Sequence, residues 1–400
     1  MRYLLFVFFV AMLYSCQEKD ISFELTNPTK FKRTDEPVFI DLNKLPDNFN
    51  DSTYAVFSVE KEIPFQIIDR NGNGEKDFMF LLVDFDPEEI INLKVKPVES
   101  RHPQKVRANV RFGSRKPPYI EITGVKRLTT SDTVKASNLF LMEGPAWEND
   151  RVAFRNYYDQ RNGIDIFGKR TEKMVLDSVG IDGTNYHALS DWGMDILHVG
   201  NSLGAGAIAI QVGDTIYPIR NPQNSSYALL NDGPLYASLK LVHKGFKILN
   251  RTYDIEHILS IYGGSFYYTS TVSVIGLKGD EKLVSGIVNL HSEKLYKENK
   301  YNQKIFATYD TQAEDHKMLG LAMLIDDNDF DSIVKDSFPA KGIEDTYMVR
   351  LNFDKDNSSD YCFYACWETG FSSFRNMSYF STFLERNAER KNKPILLSFH

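Results

Sequence analysis

Charged and aromatic side chains are concentrated between Glu143 and Asp195 more densely than a hydrophobic core or a solvated surface requires. Read with the two-residue period of a β-strand, part of this stretch has one polar, arginine-bearing face and one apolar face. The polar face, here called the arginine ledge, holds Arg151, Ala153, Arg155, Tyr157, Asp159 and Arg161, and the opposite face holds Val152, Phe154, Asn156, Tyr158 and Gln160. At about 3.3 Å per residue, Arg155 and Arg161 are expected roughly 20 Å apart, which predicts a cleft for an extended acidic sugar chain.

The segment before the ledge, Glu143 to Asp150, combines a Gly-Pro turn, an indole and carboxylates. Trp147 can offer a flat apolar face to a sugar ring, while Glu143 or Asp150 accepts hydrogen bonds from hydroxyl groups. Alternatively, Trp147 fills the core between two sheets and the acids neutralise Arg151 and Arg155. That alternative suits one residue better than the whole set, because buried guanidinium groups need compensating partners.

A second group of reactive side chains follows in Tyr186 to Asp195, which has neither a helical nor a strand period. A loop or irregular strand end is therefore predicted, and such segments often carry function. Histidine is the side chain that ordinarily changes charge near neutral pH, so His187 is the candidate general acid or base. Tyr186, Asp191, Trp192 and Asp195 accompany it, although a purely structural histidine remains the alternative.

Metal-binding patterns are weak in this chain. Asp69 to Asp77 places oxygen donors with the spacing of a calcium loop, but Phe80 stands where that loop requires a bidentate glutamate, so a tight hairpin is the preferred interpretation. Cys362 and Cys366 are predicted to be buried thiols, and neither a CxxC pair nor an HExxH helix is present. No cofactor is expected. Further polar and aromatic side chains could line the cleft once the chain is folded, namely His243, Arg251, Tyr253, Glu256, His257, His291 and the Trp367–Glu368 pair.

The elements that position these residues are predicted to be strands. The chain has 400 residues, 42% of them hydrophobic and 13% aromatic, which favours an all-β fold with a large core. Residues 22–112 have the rhythm of a small antiparallel β-sandwich, Gly113 to Pro118 reads as a linker, and residues 119–400 as a larger two-sheet domain. Asn376 to Lys391 is the best helix candidate. A net charge of −7 without a basic run argues against a nucleic-acid partner.

Residues 1–16 read as a bacterial lipoprotein signal: a positive start, a short apolar run and a small residue before Cys16. We expect cleavage before Cys16, lipidation of its thiol and tethering to a membrane of the cell envelope. The alternative is an ordinary cleaved signal with an incidental cysteine.

Three segments resemble a family labelled as a domain of unknown function and found in polysaccharide-utilisation loci of Gram-negative bacteria. They are Glu143 to Glu148, Arg155 to Lys169, and Tyr186-His187 with Trp192 to Asp195. Ala146 departs from the family pattern, where glycine is expected. The resemblance implies a galactose-mutarotase-like β-supersandwich for the large domain. It also implies an activity like that of the ulvan oligosaccharide dehydratase.

Such a dehydratase removes water across C4 and C5 of a uronic acid and leaves an unsaturated sugar. The expected catalytic residues are His187, Tyr157 and Tyr186 for proton transfer and Arg155 as a clamp for the substrate carboxylate. Two alternatives remain, a glycoside hydrolase using carboxylates such as Glu143, Asp165 and Asp191, and a glycan-binding lipoprotein that stacks sugars on tryptophans. The expected substrate contacts are Glu143, Trp147, Arg151, Asp159, Arg161, Asp165, Asp191, Trp192 and Asp195.

Overall fold

The computed structural model describes residues 21–45, 49–127, 136–335 and 337–399. Antiparallel strands dominate these residues, which confirms the predicted all-β class. The expected signal segment 1–16, with Cys16, lies outside the described residues. Within the described ranges, no helix is both long enough and apolar enough to cross a bilayer.

The secondary structure consists mainly of short and medium strands, with one long helix near the end of the chain. The strands are β1 Ile21–Thr26, β2 Arg33–Asp41, β3 Tyr54–Ser58, β4 Lys61–Ile63, β5 Phe65–Ile68, β6 Phe78–Phe85, β7 Ile90–Pro97, β8 Ala108–Arg111, β9 Gly124–Arg127, β10 Ala146–Asn149, β11 Val152–Asn156, β12 Ile164–Lys169, β13 Gly193–Asp195, β14 Ala209–Val212, β15 Thr215–Pro218, β16 Asn224–Asp232, β17 Tyr236–Ile248, β18 Arg251–Tyr262, β19 Tyr267–Ile275, β20 Lys282–Val288, β21 Tyr296–Lys300, β22 Gln303–Asp310, β23 Leu319–Asp326, β24 Phe330–Ile333, β25 Thr346–Leu351, β26 Ser358–Trp367 and β27 Leu396–Phe399. The α-helices are α1 Ala136–Leu139 and α2 Met377–Asn392, and the short 3-10 helices span Leu42–Lys44, Leu141–Glu143, Ile181–Gly183 and Ser372–Arg375. The predicted helix is thus present as α2, with Asn376 as its N-cap.

The small domain is a sandwich of two sheets, ordered β27-β1-β7-β3-β4 and β2-β6-β5. Alternate residues of its strands, such as Val38 and Ile40 on β2, point into one apolar core. Strand β27 comes from the far end of the chain and pairs with β1, placing Phe399 opposite Phe23. Strand β8, by contrast, pairs with β10 in the large domain. Two segments therefore lie across the boundary expected near residue 112.

The large domain places a nine-stranded sheet, β21-β22-β23-β26-β19-β18-β17-β16-β9, against two five-stranded sheets. One of these has the order β15-β14-β20-β25-β24, and the other, here called the site sheet, has the order β13-β12-β11-β10-β8. Residues from all three sheets form one continuous apolar core. The burial pattern of β18 illustrates how a strand contributes to this core: every second residue from Tyr253 to Ile261 is buried, and the intervening residues face away.

The two faces of the site sheet have different chemistry, as the alternation of β11 predicts. Val152 and Phe154 pack into the main core, whereas Ala153 packs into a separate apolar cluster on the outer face. Residues 170–192, here called the covering segment, lie over that outer face, and Tyr186 and Trp192 pack against its apolar cluster. Arg155 has the same parity as Ala153, so it lies between the sheet and the covering segment.

A buried ion pair anchors the covering segment. Lys169 pairs with Glu148, and both side chains are fully buried. The other Glu148 oxygen accepts hydrogen bonds from the backbone N–H groups of Val175 and Leu176, at 2.7 and 2.8 Å. Burial raises the pKa of Glu148 and lowers the pKa of Lys169, and each shift is partly offset by the attraction of the partner. The segment above the site is thereby tied to β10 and β12.

The calcium-like loop is held by its own backbone donors. Asp69 accepts hydrogen bonds from the N–H groups of Gly72 and Gly74, at 2.7 and 2.8 Å. Lys240 of β17 donates to the carbonyl of Gly72 at 2.7 Å, which docks the loop on the nine-stranded sheet. This geometry fits the hairpin interpretation. Cys362 and Cys366 are free and buried, as predicted.

Candidate functional site

Several of the predicted side chains meet on the outer face of the site sheet. Strand register places Arg155 of β11 directly opposite Asp165 of β12, and Phe167 of β12 opposite Asp195 of β13. The covering segment adds Tyr186 and His187 from above. The resulting group, here called the Arg155 cluster, consists of Arg155, Tyr157, Asp165, Tyr186, His187 and Asp195.

Arg155 is the centre of this cluster and is almost entirely buried, with 1% of its surface exposed. Its Nη2 donates to Asp165 at 2.7 Å and to Asp195 at 2.9 Å. Its Nη1 donates to the Tyr186 hydroxyl at 3.1 Å and to the carbonyl of Met142 at 3.2 Å. Burial opposes the positive charge, but the attraction of the two carboxylates outweighs it and raises the pKa of Arg155. The guanidinium is thus a fixed internal cation whose donors are already engaged.

Tyr157 links this buried centre to the surface. Its hydroxyl donates to Asp165 at 2.6 Å and accepts from Arg155 at 2.9 Å. Burial and the nearby Asp165 charge raise the pKa of Tyr157, so the phenol keeps its proton. The outer side of its ring is covered by Arg161, whose guanidinium carbon lies 4.0 Å from the ring centroid.

His187 is the exposed member of the cluster. Its Nδ1 lies 3.4 Å from a carboxylate oxygen of Asp195, and 63% of the imidazole side chain is exposed. The ring of Tyr186 packs beside it, with centroids 4.5 Å apart. Because Nδ1 faces a buried carboxylate, Nε2 is the ring nitrogen left for a substrate, as in the carboxylate-oriented histidines of acid–base catalysis.

Acidic groups outnumber basic groups in the buried part of the cluster. Two carboxylates, Asp165 and Asp195, share one guanidinium, and neither side chain is more than 4% exposed. Burial and the adjacent Asp165 raise the pKa of Asp195, and Arg155 only partly offsets this. Asp195 therefore retains a proton more readily than an exposed aspartate does.

A second set of charges forms the rim. Arg161, 45% exposed, binds Asp159 at 2.6 Å and also pairs with Glu143. Burial works against its charge, but the bonds to these two acids raise the pKa of Arg161. Glu143 follows Met142 in the left-handed region, with φ values of 66° and 53°. Two such non-glycine residues in succession cost about 1–3 kcal/mol each, a strain often found at functional sites.

The arginine ledge is not the straight strand that was expected. Strand β11 ends at Asn156, and residues 158–161 form a turn that leads into β12. Arg155 and Arg161 consequently lie close to the same ring, with guanidinium carbons 4.7 and 4.0 Å from the Tyr157 centroid. The expected separation of roughly 20 Å is wrong because the turn folds Arg161 back over Tyr157. Arg155 is also too buried and too fully bonded to clamp a substrate carboxylate.

Other predicted contacts lie elsewhere. Trp147 is 0% exposed and packs in the main core against Phe154, with ring centroids 5.9 Å apart, so it offers no face to a sugar. Arg151 lies at the opposite end of β11, where it bonds Glu172 at 3.2 Å. Trp192 packs edge-on against Phe167 in the outer apolar cluster, and Asp191 is exposed in the covering segment.

Two features of the site were not predicted. The carbonyl of Met142 is an acceptor for Arg155, which depends on its left-handed backbone. The Glu148–Lys169 pair holds the covering segment in place. Odd-numbered spacing on β12 could have indicated the second feature, since Asp165, Phe167 and Lys169 share one face. Among the described residues, no group of three side chains has the arrangement of a metal site.

Comparisons with known proteins give one family and a distant fold likeness. The model of the family described as "Domain of unknown function (DUF4861)" matches residues 25–396. No curated protein matches the chain. Solved structures that resemble it include a protein in the glycosyl hydrolase family 38 and an alpha-mannosidase, both from Enterococcus faecalis, at 9% and 10% identity. Each has a TM-score of 0.48 over 96% of this chain, and the chain spans 48% and 46% of their lengths, about half.

Proposed function

This chain belongs to the DUF4861 family, and we propose that it is a carbohydrate-active enzyme that removes water from uronic-acid-containing oligosaccharides, such as fragments of ulvan. The reaction breaks the C5–H and C4–O bonds, forms a C4=C5 double bond and releases one water. The observation that carries the proposal is the exposed imidazole of His187, held beside the buried Asp195 of a cluster in which two carboxyl groups share one guanidinium.

His187 is the proposed general base. Removing the C5 proton turns its imidazole into a cation, and the Asp165–Asp195 pair stabilises a positive charge at that position. The C5 proton is hard to remove, because the negative charge that forms at C5 is repelled by the adjacent carboxylate. A cation that offsets the carboxylate charge in the transition state makes the removal easier. Arg161 supplies that offset in the proposal, because it is exposed at the rim whereas Arg155 is not.

Tyr186 is the proposed general acid for the departing hydroxyl. Its oxygen accepts a hydrogen bond from Arg155, so its own proton is not used in that bond. Tyr157 is less suited, because its proton is committed to Asp165 at 2.6 Å. Tyr157 and Arg155 are therefore assigned positioning roles, which differs from the catalytic roles expected from the sequence.

The same geometry argues against the two alternative functions, glycoside hydrolysis and glycan binding. A glycosidase needs two carboxyl groups that flank the scissile bond, and Asp165 is 1% exposed and bonded to both Arg155 and Tyr157. A binding protein that stacks sugars on Trp147 lacks that platform, since Trp147 is in the core. Elimination chemistry is the function that the exposed side chains support best.

The test is incubation with oligosaccharides that end in a uronic acid, while ultraviolet absorbance of the unsaturated uronate and loss of one water in the mass spectrum are recorded. His187→Ala and Tyr186→Phe are expected to lower kcat by about 10²-fold or more, the usual contribution of a positioned acid or base. His291→Ala, an exposed histidine outside the cluster, is the matched control. Reducing ends released without new absorbance would favour the hydrolase instead, and an unchanged rate in His187→Ala would refute the proposed base.

We also propose that lipidation of Cys16 tethers the protein to a membrane of the cell envelope. The support is the sequence before Cys16 alone. Labelled fatty acid should be incorporated into the wild-type chain expressed in a Gram-negative host and not into Cys16→Ser. Incorporation into both, or into neither, contradicts the proposal.

A further inference from the structure

A cavity of about 430 Å³ lies between the small domain, the nine-stranded sheet and α2. We call it the interdomain cavity. It contains no residue of the Arg155 cluster or of its rim. Its volume is within the range of small-molecule sites, which often lie between domains. It is lined by Glu36, Pro37, Phe39, Arg70, Tyr236, Ile258, Ser260, Tyr262, Tyr267, Thr269, Thr271, Asp360, Cys362, Asn387, Arg390, Lys391, Pro394 and Ile395.

The floor of the cavity is a polar patch on the face of the nine-stranded sheet that points away from the main core. Strand register places Ser260 of β18 opposite Thr269 of β19, and Thr271 opposite Asp360 of β26. These residues alternate with buried core residues, so their side chains point into the cavity. The floor therefore offers hydroxyl groups and a carboxylate on a rigid surface, which suits a ligand rich in hydroxyl groups.

Aromatic side chains form part of the walls. Phe39 of the small domain and Tyr236 of the nine-stranded sheet lie edge to face, with centroids 6.4 Å apart. Tyr262 and Tyr267 share a hydrogen bond between their hydroxyls. An apolar ring beside hydroxyl donors is the combination that binds a sugar ring, because the C–H face packs on the aromatic group while the hydroxyls are bonded at its edge.

The cavity is lined by more basic than acidic side chains. Arg70, Arg390 and Lys391 face two carboxylates, Glu36 and Asp360. Arg390 Nε lies 3.6 Å from Glu36 Oε2, longer than a hydrogen bond, and neither atom has a hydrogen-bond partner among the described residues. Glu36 is 5% exposed, so this unused capacity is buried at the cavity. Buried polar atoms of this kind are normally satisfied, which indicates an occupant with polar groups.

We propose that the interdomain cavity is a second, non-catalytic binding site for an acidic mono- or disaccharide. The hydroxyl groups of the sugar form hydrogen bonds with the floor, at Ser260, Thr269 and Thr271. The carboxylate of the sugar forms ion pairs with Arg390 and Lys391. The site is separate from the Arg155 cluster, so ligand binding there does not depend on turnover.

The test measures binding of D-glucuronic acid by calorimetry in a His187→Ala background, which removes the proposed base. Thr271→Trp fills the cavity from its floor, and Thr252→Trp, on the same sheet at an exposed position outside the lining, is the matched control. The expected result is saturable binding that weakens at least tenfold in Thr271→Trp and is unchanged in Thr252→Trp. Arg390→Gln is expected to weaken glucuronate binding. Glucose, which has no carboxylate, is expected to bind more weakly than glucuronate and equally well in both proteins.

Three outcomes overturn the proposal: no saturable glucuronate binding, equal binding in the two tryptophan variants, or tighter binding of glucose than of glucuronate. Thermal unfolding of both tryptophan variants shows that any lost affinity comes from the filled cavity and not from a misfolded chain. Turnover is measured separately in Thr271→Trp with His187 intact. Unchanged turnover with lost glucuronate binding would show that the cavity is not needed for the reaction. Absence of turnover in every variant would contradict the proposed dehydratase activity and not the binding site.

Discussion

Acid is expected to destabilise this protein through two histidines buried in the core of the large domain. His243 on β17 is 4% exposed and His257 on β18 is 2% exposed. Each forms one hydrogen bond with a serine, His243 with Ser225 at 2.9 Å and His257 with Ser270 at 2.8 Å. Burial lowers the pKa of His243 to about 4. Burial and the neighbouring His243 lower the pKa of His257 to about 3.

The sign and size of the effect follow from proton linkage. Both imidazoles are neutral when folded, whereas in the unfolded chain they take up protons below a pKa of about 6.5. The free energy of unfolding therefore falls as pH decreases from about 6.5, and the fall ends near pH 4 for His243 and near pH 3 for His257. Within this window each histidine contributes about 1.4 kcal/mol per pH unit, so the pair removes about 4 kcal/mol between pH 7 and pH 5.

The assay is urea denaturation followed by tryptophan fluorescence at several pH values from 7 to 5. Other groups titrate in the same range, so the measured quantity is the difference between wild type and variants. His257→Gln should reduce the slope of unfolding free energy against pH by about 1.4 kcal/mol per unit, whatever its effect at pH 7, and His291→Gln, at an exposed position, should leave it unchanged. A slope that is the same in wild type and His257→Gln would refute the reasoning.

Three further predictions concern the site. Lys169→Met leaves Glu148 buried without its cation and should lower the free energy of unfolding by about 3–5 kcal/mol, as measured by urea denaturation; a loss below about 1 kcal/mol would contradict this. Arg161→Ala should lower kcat/KM on uronate substrates at least tenfold without changing the circular dichroism spectrum, because it removes the exposed cation at the rim, and an equal kcat/KM would show that another group binds the carboxylate. Asp195→Asn should lower kcat by about 10²-fold or more and change the acid limb of the pH–rate profile, since the buried carboxyl beside His187 no longer titrates; an unaltered acid limb would separate Asp195 from the proton transfer.

Local alternation made part of this site predictable. The period of β11 correctly separated Val152 and Phe154 from Ala153 and Arg155, because side chains on a strand alternate whatever the strand pairs with. The error came where the strand was extended beyond Asn156. Asn162-Gly163 is a turn signal of the kind found in hairpins, and Asn162 has a φ of 46°, so the return of the chain toward Asp165 was marked in the sequence.

Non-local pairing was not predictable in the same way. Trp147 is in the core because β10 pairs with β11 in a register that sets it opposite Phe154, and no feature of its own segment fixes that register. Strand β27 completes the small domain by pairing with β1, although hundreds of residues separate them in sequence. A single sequence carries no signal for such partners, because the free energy of these pairings depends on packing between distant segments.

The charge of the Arg155 cluster supports the direction of proton transfer that we propose for His187. If His187 were to act as an acid in the first step of the proposed reaction, a positive charge would be lost beside the carboxyl groups of Asp165 and Asp195. If His187 acts as a base, it gains one positive charge, and the cluster then holds two cations beside its two carboxyl groups. Burial, together with the neighbouring charge of Asp165, raises the pKa of Asp195. Asp195 is buried and His187 is exposed, so of the two only the imidazole can take a proton from a substrate in the proposed reaction. We therefore propose that His187 abstracts the proton and that Asp195 holds the ring in position.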